Sequence, residues 1–210
     1  VIAFGNPRLI EAMLFDIGRI RQKNEWHRTI TSGFVHGDPM HLFMNMLSLF
    51  FIGPALEYAL GTWIFLAFYM TCLLGGSAWT LMEHWRDSNY RALGASGAVS
   101  GVTAAFGLFA PFATIIVFVI PMPAILFAVL FIAYSAFASG RIRDGIGHAA
   151  HLGGALTGVA LILVLMRYID VHWLITPAWQ PAHVSIHFLD IAAVLVLGLA
   201  QLLVELRPRA

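Results

Sequence analysis

Apolar residues along this 210-residue chain gather into long runs separated by short polar or Gly/Pro breaks. The runs lie near Met40–Leu60, Thr62–Met82, Leu93–Ala110, Ile115–Ala138, Ala149–Met166 and Phe188–Val204. Each is close to the roughly 20 residues a helix needs to cross a bilayer, so about six spanning helices are predicted. The Pro121-Met122-Pro123 step predicts either a kink in the run Ile115–Ala138 or its division into an interfacial entry and a shorter helix. Residues 1–39 differ, mixing charged side chains (Arg8, Glu11, Asp16, Arg19, Arg21, Lys23, Glu25, Arg28, Asp38) with scattered apolar ones. Within them Leu9, Ile10, Met13, Leu14 and Ile17 recur at helical spacing and predict a short amphipathic helix on the membrane surface. Trp26 is expected to anchor the same layer.

Composition agrees with a lipid solvent: 60% of residues are hydrophobic and 11% charged, against about 25% charged in soluble domains. A formal net charge of +1 leaves no bulk field for an acidic partner, so nucleic acid is not expected to bind. The single cysteine, Cys72, sits in an apolar run, cannot form an internal disulfide and reads as a packing residue.

Each span reverses the side on which the next loop lies. With residues 1–39 on one side, the near face, the loops around 86–91 and 140–147 also fall there, while Gly61, residues 111–113 and residues 168–184 fall on the far face. His41 and Asn45 begin the first span, Ser96 the third and His148 and His151 the fifth, so all five polar residues meet at the near face. Polar groups are costly in a bilayer, and their convergence from separate helices predicts a water-accessible site. His41 and Asn45 are four apart and share a helical face, as do His151, Gly154 and Gly158. Together with Gly97 and Gly101 the glycines predict two helices packed closely enough to bring Ser96 and His151 within hydrogen-bond reach, a nucleophile and a base. Ser96 at a helix start would also have unpaired N–H groups and the helix dipole beside it to stabilise an oxyanion, with His41 and Asn45 as further donors.

The string His36-Gly-Asp-Pro-Met-His41-Leu-Phe-Met-Asn45, then Glu57-Tyr-Ala-Leu-Gly61, Gly94-Ala-Ser-Gly97 and Ala150-His151-Leu-Gly-Gly154-Ala-Leu-Thr-Gly158 resembles the rhomboid protease family in order and spacing from about Trp26 to Gly158. A lone Gly-x-Ser-Gly string is weak evidence; four motifs in order are specific. The resemblance implies an all-α polytopic membrane protein with a rhomboid-like helical bundle and an intramembrane serine endopeptidase that cleaves transmembrane proteins near the membrane surface. Its dyad would be Ser96 and His151, and its oxyanion hole His41, Asn45 and the Ser96 amide. His36 would lie in the loop entering the site, and Trp26 and Arg28 in a membrane-embedded first loop. The family's first core helix would precede this loop, with only residues 1–4 as its remnant. The expected divisions are an interfacial segment 1–39, a catalytic core 40–167 and a loop with an additional C-terminal helix in 168–210. Relatives that place an aromatic ring four residues after the nucleophile differ from this chain, where Ser100 holds that position, so ring support for His151 must come from elsewhere or is absent.

The expected partners are transmembrane protein substrates and membrane lipid, in a bacterial cell membrane or, as the alternative, an organellar one. No cofactor or metal is expected, since no Cys, Asp or Glu completes a set with His36, His41, His148 and His151. His148 is the rival for the role of base, but only His151 stands in the Ala-His-x-x-Gly pattern. Glu57 is expected to brace a loop by hydrogen bonds. A binding protein without catalysis would lack the serine or histidine, and a channel would carry polar residues through to the far face. Of the Lys and Arg residues only Arg167 falls on the far face. The positive-inside tendency would thus turn the near face to the cytoplasm, whereas the resemblance implies a site opening away from it.

Overall fold

The computed structural model describes residues 6–167 apart from 118 and 143. The expected C-terminal helix Phe188–Val204 and residues 1–4 lie outside the described residues. Five apolar helices carry the fold: α4 (Pro39–Leu60), α5 (Thr62–His84), α6 (Ser96–Phe109), α7 (Ala124–Ala138) and α8 (His148–Leu165), preceded by α1 (Pro7–Met13), α2 (Ile17–Lys23) and α3 (Arg28–Thr31). Helices α4, α5 and α8 are long and apolar enough to cross a membrane; α6 and α7 are shorter. Local chemistry sets the ends. Asp38 caps α4 by accepting the His41 N–H at 2.8 Å, with Pro39 in the first turn. Gly61, at φ 79°, separates α4 from α5. Glu57 braces that junction, its carboxylate accepting the Thr62 hydroxyl at 2.8 Å and its carbonyl the Gly61 N–H at 2.8 Å.

The bundle is built around α6, whose residues Gly97–Gly107 are all buried. A helix that is buried all round has no polar face to offer, and small residues let its neighbours come close. Its broadest contact is with α8, and α5 packs on both. The approach is backbone to backbone. A Cβ on Gly154 would strike the Gly97 carbonyl and one on Gly158 the Gly101 carbonyl, while a Cβ on Gly101 would meet the Cys72 sulfur and the Gly154 carbonyl. The predicted glycine grooves therefore exist, and a second set joins α5 to α8, where a Cβ on Gly76 would come within 2.7 Å of the Ala150 carbonyl.

Three expectations change. The amphipathic helix expected over Leu9–Ile17 is two helices: the chain turns extended at Leu14 (ψ 152°), Phe15–Asp16 (β1) pairs with Arg91–Ala92 (β2), and Asp16 caps α2 by accepting the Arg19 N–H at 2.9 Å. A cap, a strand pairing and an Arg91–Asp16 ion pair at 3.0 Å outweigh continued helical spacing. The run at Leu93 becomes helical only at Ser96, because Gly94 takes φ 117° and its N–H goes to the Ser32 carbonyl at 2.9 Å. Finally, Ile115–Ala138 is not one helix. Thr114–Val117 (β3) and Ile120–Pro123 (β4) form an antiparallel hairpin, and α7 starts after Pro123. β-Branched residues favour strand there, and two prolines two residues apart, both lacking N–H groups, break a helical ladder more than the single Pro54 that α4 accommodates. The division at Pro121–Pro123 is as predicted, with a hairpin as the entry.

The first-loop segment is a compact cap rather than a loose surface stretch. Arg28, 1% exposed, donates to the Glu11 carbonyl at 2.9 Å, the Leu14 carbonyl at 2.8 Å and the Glu25 carboxylate at 2.6 Å. The guanidinium, first by its hydrogen bond, holds Glu25 below the usual carboxylate range. Ser77 of α5 donates to the Thr29 carbonyl at 2.7 Å, tying the cap to the bundle. Trp26 is 50% exposed, as an interfacial anchor requires.

Because the obstacle at Gly154 is backbone, Gly154→Val is expected to cost about 3 kcal/mol or more, the upper end of overpacking penalties. Gly37→Ala, whose Cβ would sit 3.5 Å from Leu93, should stay within about 0.5 kcal/mol of the parent. Melting temperatures of the two variants in one detergent test the contrast; equal stabilities would refute close backbone packing as the source of the bundle's order.

Candidate active site

Ser96 occupies the first position of α6, and α8 begins with His148 and His151. The close packing of these helices places His151 Nε2 2.8 Å from Ser96 Oγ, across 55 residues of sequence. Ser96, at the start of its helix, lies where N–H groups have no intrahelical acceptor. One of these, on the capping residue Ala95, is already used: it donates to His36 Nε2 at 3.2 Å. The N–H groups of the first turn that follow are oriented along the helix dipole, a favourable setting for negative charge beside the serine.

His41 and Asn45 stand on one face of α4. The imidazole of His41 lies against Gly94, where a Cβ would collide with the ring, so the glycine two residues before Ser96 is what admits His41 to the site. Asn45 is buried, and its Nδ2 donates one hydrogen to the His41 carbonyl at 3.0 Å. An amide carries two N–H bonds, so the second stays free for another acceptor. His36 meets His41 edge-on, with ring centroids 5.1 Å apart.

Support for the His151 ring comes from elsewhere than position 100. Phe131 of α7 faces it at 5.8 Å between centroids, tilted 33°, and His148 stands perpendicular at 6.1 Å. Ser100, in the position where some relatives carry a ring, returns its hydroxyl to the Ser96 carbonyl at 2.6 Å. His148 does not reach Ser96. Its Nε2 pairs with Asp144 Oδ2 at 3.2 Å and its ring meets Tyr134 edge-on. The Ile146 N–H, then His148, holds Asp144 below the usual carboxylate range. Among the described residues no carboxylate hydrogen-bonds His151, and no group of His, Cys, Asp and Glu is arranged to hold a metal.

The sequence pattern thus missed three participants: Phe131, the Asp144–His148 pair, and the His36–Ala95 hydrogen bond. His36 was placed only in the entering loop. Phe131 belongs to an apolar run in which every residue looks alike, so no local signal marks it. Asp144, four residues ahead of His148, could have been found from helix-start spacing.

The family described as the Rhomboid domain matches residues 23–168. The chain is 37% identical over 138 residues to Rhomboid protein 1, mitochondrial, of Saccharomyces cerevisiae, a match covering 62% of this chain and 39% of that protein. It is 34% identical over 145 residues to RHOMBOID-like protein 12, mitochondrial, of Arabidopsis thaliana, covering 61% and 43%. With Rhomboid protease AarA of Providencia stuartii it shares 30% identity over 197 residues, covering 81% and 67%. The chain therefore spans about two fifths of the length of the two mitochondrial relatives.

His36 gives this site a pH dependence. Burial, then the neighbouring His41 and against a smaller opposing effect of Asp38, lowers its pKa from 6.5 to about 4. Accepting the Ala95 N–H through Nε2 also requires the neutral ring. Between those two values the unfolded chain binds the proton more readily than the folded one, so this contribution is full above about pH 6.5 and is lost as pH falls toward 4. At 1.36 kcal/mol per unit the loss is at most about 3 kcal/mol. His36→Gln, which keeps an acceptor that does not titrate, should show a shallower fall in stability over this range than the parent; parallel curves in pH-dependent unfolding would rule the effect out.

Proposed function

The chain belongs to the rhomboid family, and we propose that it is an intramembrane serine endopeptidase that cleaves transmembrane proteins near the membrane surface, with Ser96 as nucleophile and His151 as general base. The observation that carries this reading is the 2.8 Å approach of His151 Nε2 to Ser96 Oγ, a nucleophile and a base from different helices at one end of an apolar bundle.

In this mechanism His151 Nε2 takes the hydroxyl proton as Ser96 Oγ adds to the scissile carbonyl carbon. The tetrahedral oxyanion is met by the Ser96 N–H, the second hydrogen of Asn45 Nδ2 and a His41 ring N–H. On collapse the proton passes from His151 to the leaving amine, leaving an acyl ester on Ser96. Water, deprotonated by the same imidazole, then releases the ester and restores the hydroxyl. Phe131 and His148 limit the tilt of the ring in place of the aspartate of a triad. A substrate helix must unwind for its carbonyl to reach Ser96, which is tolerable only where water replaces the lost hydrogen bonds; helix-breaking residues near the cut would favour it.

The names of relatives extend the reading. Rhomboid protease AarA and the putative rhomboid protease YdcA of Bacillus subtilis are named as proteases, which supports catalysis over a binding role. The two mitochondrial relatives, at 37% and 34% identity, favour an organellar membrane over the bacterial cell membrane expected from the sequence.

Ser96→Ala should abolish cleavage of a model transmembrane substrate and covalent labelling by a fluorophosphonate while leaving the melting temperature near that of the parent, since Ala suits a small-residue interface. His151→Ala should also lose both activities. Labelling that persists without Ser96 would exclude it as nucleophile, and an active His151→Ala beside an inactive His148→Ala would reverse the choice of base.

Asn45→Ala should lower kcat by about 10²–10³ with little change in KM, because its contact strengthens only as the oxyanion forms. His41→Ala should behave similarly, and the double variant should be slower than either. Full turnover in all three would remove these side chains from the oxyanion site.

A further inference from the structure

Helix α5 marks both membrane surfaces with its own residues. Its 23 residues measure about 34 Å at 1.5 Å per residue, against a hydrocarbon core of about 30 Å. From Thr62 to Met82 it carries no Asp, Glu, Lys, Arg or His. Trp63, 82% exposed, lies in its first turn, and Trp85, 42% exposed, is its C-cap residue. Tryptophans in such places form the belts at the two membrane–water interfaces, and from 63 to 85 the rise is about 33 Å. The near surface therefore lies at Trp85, where Glu83, His84, Arg86 and Asp87 gather.

One outward stripe of α5 runs up to that surface. Leu74, Ala78, Met82 and Arg86 follow one another at intervals of four and all are exposed, which puts them on one side of the helix. At its near end the stripe becomes the floor of a groove of about 730 Å³ lined by Ala78, Leu81, Met82, Glu83, Trp85 and Arg86. The cap of residues 6–34 stands on one side of it. Leu81 packs there against Phe15, Ile17 and Ile20, and Arg21 of α2 lies 5.0 Å over the Trp85 ring and donates to the Trp85 carbonyl at 2.7 Å. The end of α7 stands on the other side, where Glu83 accepts the Ser139 hydroxyl at 2.7 Å.

The charges at the mouth of this groove are not balanced within the protein. Arg19, Arg28 and Arg91 are spent on Glu11, Asp16 and Glu25. Arg21 and Arg86 have no ion pair among the described residues. The nearby carboxylates are turned elsewhere: Glu83 to Ser139 and to the Trp79 indole N–H at 3.3 Å, and Asp87 to the Asn89 N–H at 3.1 Å. A guanidinium has five N–H donors, and Arg21 gives one of them to Trp85. The remaining donors face the layer in which lipid phosphates lie, and a guanidinium fork matches phosphate geometry.

We propose that this groove binds an anionic phospholipid of the near leaflet, with its phosphate on the Arg21 and Arg86 guanidiniums beside Trp85 and an acyl chain along Met82, Ala78 and Leu74. The lipid joins the cap to the outward side of α5 across a gap that no side chain fills. The inference rests on α5 crossing a bilayer and not on the protease chemistry.

The test labels Ala78→Cys with a fluorophore, with Cys72 replaced by Ala, in phosphatidylcholine vesicles that carry a minor fraction of quenching lipid. The quencher is a nitroxide acyl chain on phosphatidylglycerol or on phosphatidylcholine, and the ratio of the two quenching efficiencies reads the preference at that site. Phe43→Cys, at the exposed near end of α4, is the control for the same leaflet. The expected ratio at Ala78 exceeds that at Phe43. Arg21→Gln and Arg86→Gln should each lower it about fivefold, the equivalent of about 1 kcal/mol for one cation at a membrane surface, and the double variant should match Phe43. Equal ratios at the two sites in the parent would overturn the proposal, leaving only a general surface attraction. Protection of Ala78 from both quenchers would overturn it in favour of a protein covering the groove. A preference that survives the double variant would remove the phosphate from these guanidiniums and overturn it too. None of these outcomes depends on whether Ser96 reacts with a fluorophosphonate, so failure here and failure of the proposed chemistry are separable.

Discussion

Close backbone approach between α6 and α8 is the constraint from which the remainder of the structure follows. Packed helices ordinarily lie about 8–10 Å apart, held off by the side chains between them. At Gly97, Gly101, Gly154 and Gly158 there are none: a Cβ on Gly101, Gly154 or Gly158 would collide with a facing carbonyl, and one on Gly97 would press within 3.2 Å of the Ala150 carbonyl. In lipid no hydrophobic effect drives helices together, so van der Waals contact over such a seam is a main source of association. The same proximity brings the first turns of both helices together at one end, and the Ser96–His151 hydrogen bond forms there. The seam stabilises the bundle and aligns the candidate chemistry with one set of contacts.

Around that seam, polar groups are placed so that the near end can hold them. Helix starts supply unpaired N–H groups, and in this protein several are answered by side chains: Asp38 at α4, Asp16 at α2 and, less usually, His36 at α6. Using an imidazole as the acceptor binds the loop before α4 to the turn before Ser96. Gly94 then allows His41 to come alongside. The cap of residues 6–34 is fastened by Arg28, whose buried charge is compensated by one carboxylate and two carbonyls, the condition under which a buried charge is tolerable. Arg91 adds ion pairs from Glu11 and Asp16 to the strand leading toward Ser96.

The far end is built on the opposite principle. Glu57 is spent on the α4–α5 junction, and beyond it the α6–α7 connection has no charge. The asymmetry leaves the bundle polar at one end and apolar at the other. In the proposed mechanism water would enter at the polar end, where an acyl ester on Ser96 would be hydrolysed, without a polar path through the bundle.

By itself the sequence determined the apolar helices, the end of the bundle at which polar residues meet, the glycine spacing and the pair Ser96 and His151. The helices and the glycine groove are legible because each rests on local periodicity: an apolar run long enough to span, residues four apart on one face, and glycines three and seven residues after His151; His151 is told from His148 by the Ala-His-x-x-Gly pattern of the family it resembles. Where periodicity competes with tertiary contacts it misleads. Leu9–Ile17 has helical spacing, yet pairing of Phe15–Asp16 with Arg91–Ala92 divides it. The run from Ile115 is apolar throughout, so its pattern cannot distinguish a helix from an apolar hairpin. Only the tertiary structure decided which aromatic faces His151 and which group takes the Ala95 N–H. Those partners lie on different helices and loops, and a distance across the bundle leaves no trace in spacing along the chain.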